Sequence, residues 1–319
     1  MDQEQSWYRS RSKRVFELMT SLTNKQKALF LFWIVLLGVV AGWVITRHEP
    51  TTELPPTPQP TIIEQGEKAT TSQSQIGTSV EGRAIESYTF GTGETDLLFV
   101  GGIHGGYEWN SILLAYNVID EFQVNPELIP ADITVHIIPN LNPDGLFTAT
   151  GLEGEFVAAD IPARDIHTAG IGRFNANDVD LNRNFGCKWA PESSWRGQTV
   201  SAGTAAFSEP EAQTLRQYVR DTAPEAVLFW HSRANNVYAS ECENGVLPQT
   251  LTLMNTYATA GSYGAVPVFD AYPITGDAEG WLASIGIPAV TVELETRDSI
   301  EWARNIAGTQ AVLELYSKE

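Results

Sequence analysis

The chain has 319 residues, of which 43% are hydrophobic and 18% charged, and a formal net charge of −19. This composition leaves ample apolar mass for a folded core, and the acidic excess speaks against nucleic-acid binding, which needs a basic face. The charge is unevenly spread: residues 1–47 carry seven Lys/Arg against three Asp/Glu, and the remainder carries 13 against 36.

In chain order, residues 1–27 form a basic, polar tail. The 19 residues 28–46, ALFLFWIVLLGVVAGWVIT, hold no formal charge. As a helix they would extend about 28 Å, close to the hydrocarbon thickness of a bilayer. Lys25 and Lys27 precede this run and only Arg47 follows it closely. The positive-inside rule therefore places the N-terminus in the cytoplasm and the remainder outside. A long polar lead and the lack of a small-x-small cleavage site separate the segment from a cleaved signal peptide. The expectation is a single-pass anchor in the cell membrane. Residues 47–75 are rich in Pro, Thr and Gln and read as an extended linker. Residues 76–319 are long enough for one domain with a substantial core.

Within that domain DLLFVGGI is a short apolar run of buried-strand type. EWNSILLAYNVIDEF follows, with Ile112, Leu113, Tyr116, Ile119 and Phe122 at helical spacing. DITVHIIP predicts a second strand. Residues 139–210 read mostly as loop, with a turn at Asp144–Gly145, and a loop of that length is usually functional. SEPEAQTLRQYVRD predicts a helix with Ser208 as N-cap and Glu211 three residues on, a capping-box pattern. EAVLFWH predicts a strand, GDAEGWLASIG a short helix, PAVTVEL a strand and DSIEWARNIAGTQAVLELYS a terminal helix. Strands alternating with helices predict an α/β domain: a doubly wound, mainly parallel mixed sheet with helices on both faces, preceded by one transmembrane helix. The only cysteines, Cys187 and Cys242, fall in the exported part, where pairing is favoured, although sequence leaves their separation open.

The strand ends carry the chemistry. His104 and Glu108 lie in GGIHGGYEWN, His231 in LFWHS and Glu293 in AVTVEL. In open α/β sheets, ligands bind at the carboxyl ends of strands. Two histidines and a carboxylate delivered there can hold a zinc ion with one position open to water. Glu293 then remains as a general base. His136, inside VHIIP, reads as a core or edge residue.

Seven ordered motifs carry a family resemblance: IGTSVEGRAI, GGIHGGYEWN, PNLNPDG, NANDVDLNRNF, FSEPEA, FWHS and TVEL. Together they resemble the zinc carboxypeptidases of the carboxypeptidase A-like family. The resemblance implies an α/β/α sandwich with one Zn2+ held by His104, Glu108 and His231, and with Glu293 as the base. It implies that Asn182 and Arg183 grip the terminal carboxylate of a substrate, a task suited to the guanidinium fork. It further implies that Arg173 polarises the scissile carbonyl, that Tyr272 closes over the substrate and that Glu279 lies at the base of the specificity pocket. TGDAEGW and TVELETR look similar to the bacterial murein-peptide branch of the family. One departure stands out: the family keeps two residues between the first histidine and the glutamate, and HGGYE has three.

These readings predict a membrane-anchored, extracytoplasmic zinc metallocarboxypeptidase that hydrolyses a C-terminal peptide bond. Its substrate would be a peptide or peptidoglycan peptide with a free carboxylate, and a carboxylate at the pocket base would favour Lys or Arg. One alternative is a murein stem-peptide amidase cutting before a diamino acid. Another is an inactive, membrane-tethered peptide-binding module, which follows if Glu108 falls short of the metal.

Overall fold

The computed structural model describes Thr23 and residues 72–318 except Ala271. The expected anchor at 28–46 lies outside the described residues, among which no helix is long and apolar enough to cross a membrane. The chain divides into the units Met1–Glu64 and Gln65–Glu319, and the description below concerns the second.

This unit is built on one mixed sheet. Its strands are β1 (Ser72–Thr78), β2 (Ala84–Gly91), β3 (Thr95–Val100), β4 (Ile133–Ile138), β7 (Ala226–Ser232), β8 (Asn236–Ala239), β11 (Gly264–Val266) and β12 (Ala289–Leu294). Two small hairpins, β5 (Glu192–Trp195) with β6 (Gln198–Ser201) and β9 (Glu241–Cys242) with β10 (Gly245–Val246), lie outside it. The sheet order is β1-β2-β4-β3-β7-β12-β8-β11. The centre, β4-β3-β7-β12, is parallel, while β2 pairs antiparallel to β4 and β8 antiparallel to β12.

The helices are α1 (Trp109–Val124), α2 (Pro143–Thr150), α3 (Ile166–Ala169), α4 (Pro210–Thr222), α5 (Pro248–Gly261), α6 (Ala278–Ser284) and α7 (Trp302–Tyr316). Side chains alternate across a strand, so a run that is apolar throughout must be covered on both faces. Leu97 and Phe99 of β3 join a core with α1, α5 and α7, whereas Leu98 and Val100 join one with α4 and α6. Strand β7, AVLFWHS, is buried at every position. Close approach of α7 to α5 depends on Gly308, where a Cβ would meet the Tyr257 ring at 2.7 Å. The Tyr257 hydroxyl in turn links Trp230 Nε1 (3.1 Å) to Asn305 Oδ1 (2.8 Å), which stiffens β7 beside His231.

Two local expectations are corrected. The N-cap of α4 is Glu209, and no side chain caps it. Ser208 Oγ is drawn instead to Glu209 Oε1 (2.7 Å) and Asn184 Nδ2 (3.0 Å). Glu211 accepts from Val80 N (3.1 Å) and Asn175 Nδ2 (3.1 Å), so no capping box can form. Asp144 and Gly145 belong to the first turn of α2, not to a loop turn, because Asn142 caps that helix at Gly145 N (2.9 Å). The long 139–210 stretch thus contains helix and hairpin as well as loop.

Cys187 and Cys242 form a disulfide with a Cα–Cα separation of 6.1 Å, across 55 residues of sequence. A loop of that length gives a chain-entropy stabilisation of about 4 kcal/mol. Replacing both with Ser is expected to lower the unfolding free energy by about 2–4 kcal/mol in urea titration. Unchanged stability would show that the bridge constrains nothing.

Candidate metal centre and active site

Three neighbouring parallel strands deliver the central residues. His104 lies just beyond β3, His231 near the end of β7, and Glu293 in β12 in register with His231. Glu108 closes a 3-10 turn, Gly105–Glu108, that runs into α1. This turn absorbs the extra residue of HGGYE. Gly105 sits at φ +46°, and a Cβ at Gly106 would lie 2.3 Å from Ala149 Cβ, so the loop lies flat on α2 only because both residues lack side chains.

The three donors meet. His104 Nδ1 lies 3.2 Å from Glu108 Oε2, His231 Nδ1 lies 3.2 Å from the same oxygen, and the two Nδ1 atoms are 3.2 Å apart. Zinc bonds of roughly 2.0–2.1 Å in tetrahedral array place ligand atoms about 3.3 Å apart, so the triangle is the face a zinc ion needs. The outward nitrogens face buried carboxylates: His104 Nε2 is 3.5 Å from Asp180 Oδ1, and His231 Nε2 is 3.3 Å from Glu279 Oε1. Neither pair has hydrogen-bond geometry, and both Nε2 atoms are without a partner, but the negative charge behind each ring favours a proton on Nε2 and leaves Nδ1 turned to the triangle. The residues therefore fit zinc. Burial opposes ionisation of Glu108, but His104 and His231 hold its carboxyl well below the usual range. Burial likewise opposes a charge on His231, yet Glu108 and Glu279 push its pKa up to about 10.

Asp180 has two tasks. Completely buried, it faces His104 and accepts from Arg173 Nη2 at 2.9 Å. Arg173 Nε is buried without a partner. Two residues on, Asn182 Oδ1 accepts from Ala278 N at 2.8 Å, which ties this loop to α6. Arg183 Nε donates to Ser193 Oγ at 3.1 Å. The loop is braced from α4, where Glu209 Oε2 accepts from Asn175 and Asn177, each at 2.8 Å. Glu209 and Glu211 are thus buried struts rather than solvated charges of a helix start.

Glu293 is poised differently from Glu108. Its Oε2 has no hydrogen-bond partner, and burial followed by repulsion from Glu108 carries its pKa up to about 7. Glu279 is buried against the back of His231 and accepts from Thr291 Oγ1 at 2.9 Å. Beside it, burial and the Glu279 charge push Asp277 up to about 6. Tyr272 is half exposed and meets Phe269 edge-on at 4.8 Å. All nine residues singled out from sequence line one cavity of about 610 Å³.

Sequence reasoning missed Asp180, Asp277, Tyr107, Trp195 and Arg297. Asp180 had a signal, its place two residues before Asn182 in DLNRN. Asp277, Tyr107 and Arg297 lie in TGDAEGW, GGIHGGYEWN and TVELETR, but their parts in the site, like that of Trp195 beside Arg173, emerge only from contacts between distant segments.

A two-histidine, one-glutamate zinc site with a free carboxylate, at the strand ends of an α/β sheet, defines a zinc hydrolase. The zinc carboxypeptidase family model matches residues 63–309, and the chain belongs to that family of metallopeptidases. It is similar to gamma-D-glutamyl-L-diamino acid endopeptidase 1 of Lysinibacillus sphaericus, with 24% identity over 243 residues. That alignment covers 69% of this chain and 59% of the relative. It is also similar to the human (Homo sapiens) carboxypeptidase N catalytic chain, 34% identical over 123 residues, covering 34% of this chain and 25% of the relative. The chain therefore spans only part of the curated relatives it matches. Among solved structures, the murein-tripeptide amidase MpaA from Escherichia coli O157 aligns with a TM-score of 0.55 at 22% identity, over 78% of this chain and 94% of that one. Carboxypeptidase A from Helicoverpa armigera aligns with a TM-score of 0.60 at 22% identity, over 78% and 70%. These two likenesses are likenesses of fold.

Because the buried Asp180 carboxylate faces the outer nitrogen of His104, Asp180→Asn is expected to weaken zinc binding by about 10–100-fold in a chelator competition. An unchanged affinity would remove Asp180 from the metal site.

Proposed function

We propose that this protein is a membrane-tethered zinc peptidase that cleaves the amide bond to a residue bearing a free carboxylate. The observation that carries the reading is that Arg183 and Asn182 share one cavity with the His104–Glu108–His231 triangle. Zinc held there would supply Lewis acidity and lower the pKa of an attacking water.

The chain's own groups do the rest. Arg183, with Asn182 beside it, binds the carboxylate of the departing residue and sets the scissile carbonyl over the metal site. Glu293 takes the proton of the attacking water and returns it to the leaving amine. A carboxylate whose pKa lies near the working pH suits both transfers. Arg173, with its unpartnered Nε, stabilises the negative charge that develops on the carbonyl oxygen. Tyr272 at the cavity wall is placed to fold over the substrate and exclude water. Asp277 and Glu279 lie in the same cavity and favour a cationic group on the departing side chain. The binding-module alternative loses its premise, since Glu108 reaches both histidines.

A second reading, cleavage before a diamino acid in a cell-wall stem peptide, is favoured by the cavity's mixed charge. Lys188 and Arg233 line it alongside Asp277 and Glu279, so both ends of a zwitterionic side chain would find a partner. We place the domain outside the membrane on the span 28–46, a reading that the Cys187–Cys242 bridge supports, since disulfides persist in oxidising compartments.

Glu293→Gln is expected to lower turnover of Lys-terminated peptides by about 10²–10⁴-fold with zinc content unchanged. Turnover within a few-fold of the unsubstituted enzyme would refute its role as base. The anchor is checked by alkaline carbonate extraction. The full chain should remain in the membrane pellet and a chain lacking 1–46 should not, whereas release of both would exclude an integral anchor.

A further inference from the structure

The loop between the ligands His104 and Glu108 carries a single side chain, that of Tyr107. Its ring is 1% exposed, and three guanidinium groups lie over it. The Cζ atoms of Arg297, Arg173 and Arg196 stand 4.5, 5.6 and 5.7 Å from the ring centroid. A tyrosine face attracts cations, so the lengthened motif builds a platform for positive charge beside the metal site.

Two of these three arginines are matched by acceptors. Arg173 is paired with Asp180 at 2.9 Å. Arg196 donates to the Tyr107 hydroxyl at 3.0 Å and to the carbonyls of His167 and Thr168, each at 3.2 Å. Arg297 is not matched. Its Nε is buried without a partner, and among the described residues it makes no hydrogen bond or ion pair. It lines the cavity, where its charge is felt by Glu293. A guanidinium with a buried N–H and no acceptor is a costly arrangement unless a ligand supplies the acceptor.

Arg297 and Arg183 serve different parts of the cavity. Arg183 is bounded by Ser193, Asn182 and Asp277, and Arg297 by Tyr107 and Glu293; they share no partner. A substrate whose departing residue is gripped by Arg183 extends its acyl part toward the other flank.

We propose that Arg297, on its Tyr107 platform, is a second anion subsite that binds a carboxylate on the acyl side of the scissile amide. This rests on the carboxylate-gripping reading of Arg183 given above. An ordinary α-linked peptide offers a neutral amide near that position. A γ-glutamyl amide offers a free α-carboxylate a few bonds from the scissile carbonyl, within reach of a guanidinium fork. The substrate class is therefore γ-glutamyl amides of a residue with a free carboxylate. Tyr107 is the positioning residue and Arg297 the one that touches the substrate.

The test separates binding from turnover. Full-length, zinc-loaded Glu293→Gln protein is titrated calorimetrically with N-acetyl-γ-D-glutamyl-L-lysine and with its α-carboxamide analogue, which differ only in the acyl-side charge. The carboxylate ligand is expected to bind at least about tenfold more tightly, a gain typical of a charge-assisted bidentate contact. Adding Arg297→Gln should bring the two affinities within about twofold, and Arg297→Lys should retain part of the difference. Equal affinities before that substitution, or an equal loss for both ligands after it, would overturn the subsite. Hydrolysis of the same two compounds by the unsubstituted enzyme reads the proposed function separately. A preference in binding without turnover would sink that function and leave the subsite standing.

Discussion

The site depends on one constraint: three lone pairs from two distant segments, the 104–108 turn and the end of β7, must meet in a setting of buried carboxylates. His104 and His231 come from adjacent strands, and their Nδ1 atoms stand 3.2 Å apart. Two Nδ1 lone pairs so close repel unless a proton or a metal ion lies between them, and the buried carboxylates Asp180 and Glu279 stand behind the two rings. Glu108 then sits between them as the acceptor. Much of the surrounding architecture follows from keeping those two carboxylates dry and fixed. Asp180 is clamped by Arg173, Glu279 by Thr291, and the loop that carries Asp180 is strapped by Glu209, Glu211 and the disulfide.

The cavity contains carboxylates in opposite electrostatic settings. Glu108 and Asp180 are buried but face histidines or arginines, so they stay ionised. Glu293 is half-buried near the like charge of Glu108 and has an oxygen with no partner, which push its pKa up to about 7. In the proposed function, groups pushed apart in this way would divide into metal ligands and a proton carrier. The same division separates two cations. Arg173 is pinned by Asp180, while Arg297 rests on an aromatic face with its acceptor still to come.

Much of this was legible in the sequence because its signals are local. Strands β3, β4, β7 and β12 are continuous apolar runs, and α1 and α7 show apolar spacing, so the central sheet and its helical layers could be read directly. Helix α5 could not: PQTLTLMNTYATAG is rich in threonine, a weak helix former, and the segment is held by packing on α7 and not by its own pattern. Strands β8 and β11 span four and three residues, too short for a period to show. The cap of α4 was misread because Ser208 and Glu211 are drawn away by residues distant in sequence, Asn184 and Asn175. In the site, His104, His231 and Glu293 were legible at or just beyond strand ends. The placement of Glu279 behind His231 was not, since it is a contact across the sheet. The three-residue gap in HGGYE read as a weakness because Tyr107 has no partner visible along the chain. In the fold it becomes the floor under three arginines.

The lengthened motif still brings His104, Glu108 and His231 into a triangle that fits zinc. Zinc K-edge X-ray absorption of the metal-loaded protein, alongside a Glu108→Ala variant, tests it most directly. Two imidazole nitrogens and carboxylate or water oxygen are expected at roughly 2.0–2.1 Å. Glu108→Ala is expected to lose oxygen scattering and zinc affinity together. A spectrum identical in the two proteins, or one lacking imidazole scattering, would contradict it.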